Sequence, residues 1–296
     1  MKKILLLIIF FIITLSNTAY SAVSVQSTGG TTVAATQVST PIQMTVNDLI
    51  SLTLTVRVKA LDQYITNTSN STYRIPVSQL YLNDGTNEFA MVYNTNVTVI
   101  NGILISVGGY SRNYNCIVKN IGVLPPGTYT TRLQFDTNTT LSPSSVVYTL
   151  SFIIPLAQNV SSVTNPVNIT LTPDNVFDGS ATVDNTTTPQ IVVQSNGSWK
   201  LILSTANIGT LPTNYYFLIT GASSHVTNYI TEQTQLQPNQ QYTLASGTAT
   251  ISTPVTGSYT NDYVNIKYFL KNTSGTYIPE GTYNNYLNYT IQSGDT

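Results

Sequence analysis

Charge is the scarcest property of this sequence. Only 8% of its 296 residues are Asp, Glu, Lys or Arg, against about 25% in an ordinary globular protein. The 11 basic and 12 acidic residues are scattered, so no basic patch exists to neutralise phosphates, and nucleic acid is not an expected partner. Reactive groups are equally sparse. One Cys and one His cannot fill a tetrahedral zinc site without unusual help from carboxylates. His225 stands beside Ser223 and Ser224, yet adjacent serines do not make a nucleophile and no G-x-S-x-G elbow is present. Phosphate-cradling loops and dinucleotide fingerprints are missing too. The expectation is a chain that is not an enzyme and takes no cofactor. Cys116, lacking a partner for an intramolecular disulfide, is expected in the core.

What is present is Thr, Asn and Ser in quantity, with 20 Tyr and 41% hydrophobic residues. Thr and Tyr suit pleated, half-buried surfaces, and Asn and Gly suit turns. The balance predicts an all-β chain. The N-terminus reads "MKKILLLIIFFIITLSNTAYSA": two lysines, an apolar run from Ile4 to Leu15, then small and polar residues. The run of about 12 residues falls short of the roughly 20 that span a bilayer as a helix, so residues 1–21 are expected to be a secretory signal peptide. No membrane span is expected after its cleavage. The expected location is extracytoplasmic: periplasm, cell surface or secreted. No L-P-x-T-G sorting motif or apolar C-terminal tail suggests covalent anchoring.

Residues 22–42 are polar and uncharged, with a Gly pair, and are expected as an extended N-terminal arm. Strand signals become dense after that. In "LISLTLTVRVKAL", Leu52, Leu54, Val56 and Val58 alternate with Thr53, Thr55, Arg57 and Lys59, the period of a half-buried strand. Asp84-Gly85, Asn101-Gly102 and Asn196-Gly197 lie between apolar runs and are expected as tight turns of antiparallel sheets.

One phrase occurs twice. "GVLPPGTYTTRLQFD" (Gly122–Asp136) and "YIPEGTYNNYLNYTI" (Tyr277–Ile291) share Pro, Gly, Thr and Tyr in order. Tyr129, Leu133 and Phe135 face one way in the first copy; Tyr283, Leu287, Tyr289 and Ile291 do so in the second. Each reads as a corner feeding a strand whose first inward residue is aromatic, and it resembles the tyrosine corner of immunoglobulin-like sandwiches. The expected architecture is therefore two tandem immunoglobulin-like antiparallel β-sandwich domains, residues 43–155 and 156–296. After the first copy comes another alternating strand, "VVYTLSFII"; after the second, the sequence stops within a few residues of Ile291. The second domain is thus expected to lack its last strand and to invite one from elsewhere.

The "P-x-G-T-Y" phrase leading into an alternating terminal strand, behind a signal peptide, resembles the spore coat U and archaic pilin-like secreted proteins. That resemblance implies a fimbrial-like subunit. It also implies an Asp where Thr131 and Asn285 stand, and a disulfide that a single Cys forbids.

Binding candidates are few. Asp174, Asp178 and Asp184 cluster in "PDNVFDGSATVDN", an oxygen-rich segment able to hold Ca²⁺, though without the EF-hand spacing; a solvated turn is the alternative. Trp199, Tyr215 and Tyr216 are candidates for stacking on a sugar, against core or cross-strand packing. The expected function is a non-catalytic, exported structural or adhesive surface protein, a pilin-like subunit that self-assembles or binds a surface partner. In the assembling form, the arm Ala22–Thr40 of one copy completes the second domain of another. The alternative is a carbohydrate-binding β-sandwich module with a polysaccharide partner.

Overall fold

The computed structural model describes residues 22–47, 52–105, 109–139, 143–162, 167–171, 182–184, 189–205, 214–271, 280–285 and 287–294. The expected signal peptide lies outside them. The protein is all-β: every strand pairing among the described residues is antiparallel, and the sheets are consistent with β-sandwich domains. No helix among the described residues is long and apolar enough to cross a membrane. The chain divides into two compact units. One runs to Pro155 and includes Pro254–Thr256; the other is Leu156–Thr253 with Gly257–Thr296.

In the first unit the strands are β1 (Ala22–Ser27), β2 (Thr32–Ala34), β3 (Gln37–Asn47), β4 (Leu52–Ala60), β5 (Tyr64–Asn67), β6 (Arg74–Pro76), β7 (Leu80–Asn83), β8 (Glu88–Ala90), β9 (Val97–Ile105), β10 (Tyr110–Lys119), β11 (Gly127–Thr139) and β12 (Ser144–Ile154). One sheet has the order β1-β3-β10-β7-β8, with β2 also on β3; the other has β6-β5-β11-β4-β9, with β12 also on β11. Period-two alternation sends one face of each strand into a shared core. Ile42 and Met44 of β3 and Cys116 and Val118 of β10 meet Leu54, Val56 and Val58 of β4, Leu133 and Phe135 of β11, and Leu150 and Phe152 of β12. Residues 22–42, expected as an extended arm, form β1, β2 and the first part of β3. Val38, Thr40 and Ile42 are buried, which makes β3 a core strand.

The first copy of the repeated phrase forms the expected corner. Tyr129 is fully buried, and its hydroxyl donates to the Pro125 carbonyl at 3.0 Å. Gly127 has φ +133°, and a Cβ there would lie 2.7 Å from Nδ2 of Asn67, whose Oδ1 accepts the N–H groups of Ser69 and Asn70. Only glycine fits this approach.

The three expected turns fare differently. Asp84-Gly85 closes the β7–β8 hairpin, with Gly85 at φ +92°. Asn101-Gly102 does not close a hairpin: it sits inside β9, where the pairing with β4 jumps from Leu54↔Ile103 to Val56↔Ile100. The positive φ of Gly102 (+62°) serves a β-bulge. Asn196-Gly197 is a corner between two sheets rather than a hairpin turn, with buried Asn196 accepting the Ala157 N–H at 2.8 Å.

The second unit holds β13 (Gln158–Ser162), β14 (Val167–Leu171), β15 (Thr182–Asp184), β16 (Gln190–Ser195), β17 (Trp199–Ser204), β18 (Tyr215–Ala222), β19 (Thr227–Asn228), β20 (Thr234–Gln235), β21 (Gln241–Gly247), β22 (Asp262–Lys271), β23 (Gly281–Asn285) and β24 (Asn288–Ser293). Its strand order repeats that of the first unit. β13-β16-β22-β18-β20 answers β1-β3-β10-β7-β8, and β21-β17-β24 answers β9-β4-β11. The second copy of the phrase falls on β23 and β24, with β14 paired to β23. The core gathers Trp199, Leu201 and Leu203 with Phe217, Val264, Ile266 and Tyr268, and Leu287, Tyr289 and Ile291 pack into it. Tyr215 stacks on Tyr268 at 5.8 Å. The side chain of Tyr283 lies outside the description. Two glycines frame Trp199: a Cβ at Gly247 would come within 2.7 Å of the indole, and one at Gly294 within 2.9 Å of the Trp199 backbone nitrogen.

Candidate functional site

Among the described residues, the side chains singled out for binding form no shared open site. Trp199 and Tyr215 are 0% exposed, so neither ring presents a face to a sugar; both fill the second core. Sequence could not separate these roles, because an inward and an outward aromatic look alike until the sheet is assembled. Tyr216 is half-buried, and the Lys271 ammonium lies 4.7 Å from its ring centre. Asp174 and Asp178 lie outside the described residues, as does the side chain of Asp184, whose backbone pairs with Phe269 in β15. Among the described residues no three His, Cys, Asp or Glu side chains gather as metal ligands would.

His225 has a partner that sequence reasoning missed. Its Nε2 is 2.7 Å from Oδ1 of Asp262, a carboxylate only 1% exposed at the start of β22. Oδ2 of Asp262 has no hydrogen-bond partner among the described residues. Ser223 Oγ, one turn away, accepts the Tyr263 N–H at 3.0 Å. The cluster ties the connection after β18 to β22. A hydrolytic triad needs a serine oxygen on the imidazole, and the described residues place none there. Cys116 is fully buried, and burial pushes its thiol well above the ordinary value, which suits a packing role rather than nucleophilic attack.

The distinctive site is instead a strand edge. In the first unit β11 is flanked by β12 from Gly127 to Thr137. Side chains from the N-terminal segment then answer β12 on its outer edge. Thr31 Oγ1 accepts the Ile153 N–H at 2.8 Å, and Thr40 Oγ1 donates to the Ser151 carbonyl at 3.2 Å. In the second unit the order ends at β24, which among the described residues has a strand partner on one side only, β17. The Gly294 N–H donates to the Ser198 carbonyl at 2.9 Å. In an antiparallel ladder that pair fixes the alternation: the backbone groups of Gln292, Thr290 and Asn288 turn towards β17. Those of Tyr289, Ile291 and Ser293 turn to the open side. From β13, Gln158 Nε2 donates to the Gln292 carbonyl at 3.3 Å, one of the groups on the β17 side.

The inner face of this edge strand is fixed. Tyr289 and Tyr268 share a hydrogen bond of 2.5 Å between hydroxyls, and burial raises both phenols. β24 is thus anchored to the core by its side chains, and on its far side it pairs with no strand among the described residues.

No protein-family model and no curated protein matches this chain. Among solved structures it is similar to the CupB6 tip adhesin from Pseudomonas aeruginosa, at 8% identity and a TM-score of 0.36, over 93% of this chain and 96% of that one. It is also similar to the class 5 fimbriae chaperone CfaA (12% identity, TM-score 0.26, 92% and 100% covered). A third similarity is to the partial N-terminal region of an enterococcal surface protein (7% identity, TM-score 0.23, 86% and 84% covered).

Proposed function

We propose that this chain is a non-catalytic, exported structural or adhesive surface protein: a pilin-like subunit of two immunoglobulin-like sandwiches that joins its neighbours through β24. The observation that carries this reading is the row of backbone groups at Tyr289, Ile291 and Ser293, turned away from β17 with no strand beyond them among the described residues. Unpaired strand edges template further pairing, and strand addition gains affinity from main-chain hydrogen bonds. Export is supported by the leader-like residues 1–21, and the lack of catalysis by the scarcity of reactive groups. In the arm Ala22–Thr40, β1 and β2 are the edge pieces able to leave their own sheet, since β3 is central and buried on one face.

Light scattering after size exclusion tests this on residues 22–296 over a wide concentration range. A discrete ladder that resists dilution is expected. Ser293→Pro should shorten it, because it removes an N–H on the open side while leaving the β17 ladder intact. A clean monomer at every concentration would end the self-assembly reading.

A further inference from the structure

A second surface, in the first unit, carries a separate inference. Between the β4–β5 corner, the first turn of β11 and the loop after β8 lies an open cleft of about 540 Å³, lined by Asp62, Gln63, Tyr64, Thr66, Tyr93, Thr130 and Arg132, within the size range of ligand sites. Two aromatics border it. Tyr93 is 50% exposed, yet its turn is held rigidly: Met91 N–H donates to the Leu80 carbonyl and Asn94 N–H to the Ala60 carbonyl, both at 2.8 Å. Arg74 covers one face of Tyr64, 4.4 Å from the ring centre.

The polar wall is also pre-set. Asp62 holds the Arg132 fork, with Nη2 to Oδ1 at 2.7 Å and Nε to Oδ2 at 3.1 Å, and accepts the Arg132 backbone N–H at 2.8 Å. This leaves Nη1 of Arg132 uncommitted among the described residues. The side-chain polar atoms of Gln63, Thr66, Thr130, Tyr64 and Tyr93 likewise have no hydrogen-bond partner there. The cleft therefore offers mixed donors and acceptors, with its one ion pair already neutralised. That pattern fits neither an anion nor a cation. It fits a group with an apolar face and a rim of hydroxyls that both donate and accept.

We propose that this cleft binds one or two pyranose units of a neutral oligosaccharide, with the ring lying against Tyr93 and its hydroxyls on Gln63, Thr130 and the free edge of Arg132. The cleft is distinct from β24, so this inference and the assembly reading can fail separately.

Saturation-transfer NMR of residues 22–296 with neutral hexasaccharides of glucose, mannose, galactose and N-acetylglucosamine tests it, followed by calorimetry. At least one hexasaccharide should bind. Tyr93→Ala should weaken it by about tenfold, as loss of a stacking platform does. Arg132→Lys, which keeps the charge and loses the fork, should weaken it by a smaller factor, and Lys59→Ala should leave it unchanged. Melting temperatures of the variants check that the fold survives. No transfer to any neutral hexasaccharide overturns the proposal. So does binding that Tyr93→Ala leaves intact, or binding confined to sialylated sugars or to peptides.

Discussion

Two neighbours on β11 show how little separates a stabilising polar atom from a costly one. The Tyr129 hydroxyl is buried and donates to Pro125, and burial raises its pKa to about 12. Thr131, two residues on and facing the same core, is 1% exposed, and its hydroxyl has no partner among the described residues. A buried hydroxyl without a partner costs about 1–3 kcal/mol, whereas a satisfied one contributes about 1 kcal/mol. Tyr129→Phe should therefore destabilise by about 1 kcal/mol and Thr131→Val stabilise by a similar amount. Urea unfolding of both variants checks this; a Val variant less stable than the parent would mean that Thr131 finds a partner in solution.

At the scale of elements, the β7–β8 hairpin is organised by Asp84. Its Oδ1 accepts the N–H groups of Thr86 and Asn87 at 2.9 and 2.7 Å, and Oδ2 meets Arg112 at 2.5 Å. Burial alone would push this carboxyl up. The backbone N–H groups of Asn87 and Thr86 and the Arg112 charge outweigh that and hold it below the usual carboxylate range. A lowered native value means that the stabilisation is fully present above the unfolded pKa, about 3.9, and is lost as pH falls through the native one. Asp84→Asn should thus melt below the parent at neutral pH, with the difference closing below about pH 4. A difference that stays constant down to pH 2 would contradict this.

This hairpin was legible in sequence because Asp-Gly followed a short alternating run. The bulge at Asn101-Gly102 was not, since the same left-handed backbone serves a turn or an extra residue, and only the partner strand decides between them. The alternation of β4 and β12 read directly as burial. The partnering of His225 with Asp262, or of Asp62 with Arg132, could not be read, because each joins residues whose proximity exists only after the sheets form. The alternation of Tyr289 and Ile291 marked β24 as a strand. Its backbone alternation needed the register with β17.

The described residues form two units that share most of one strand order, each with its own core. No residue is common to the two clusters, and the sole tryptophan belongs to the second. Phe135→Ala in the first core and Phe217→Ala in the second should each cost about 3–5 kcal/mol. Trp199 fluorescence during denaturation should register the Phe217 variant and keep the parent midpoint in the Phe135 variant, while circular dichroism detects both. Equal shifts of the Trp199 transition would show that the units unfold as one. Gly294, pressed against the backbone of Ser198 and Trp199, adds a consequence for the register of β24. A slip of one residue would drive a side chain into space that admits only hydrogen, so the edge strand has a single phase. Gly294 is thus a stop, and of the positions at which the end strand could sit along its neighbour it leaves one.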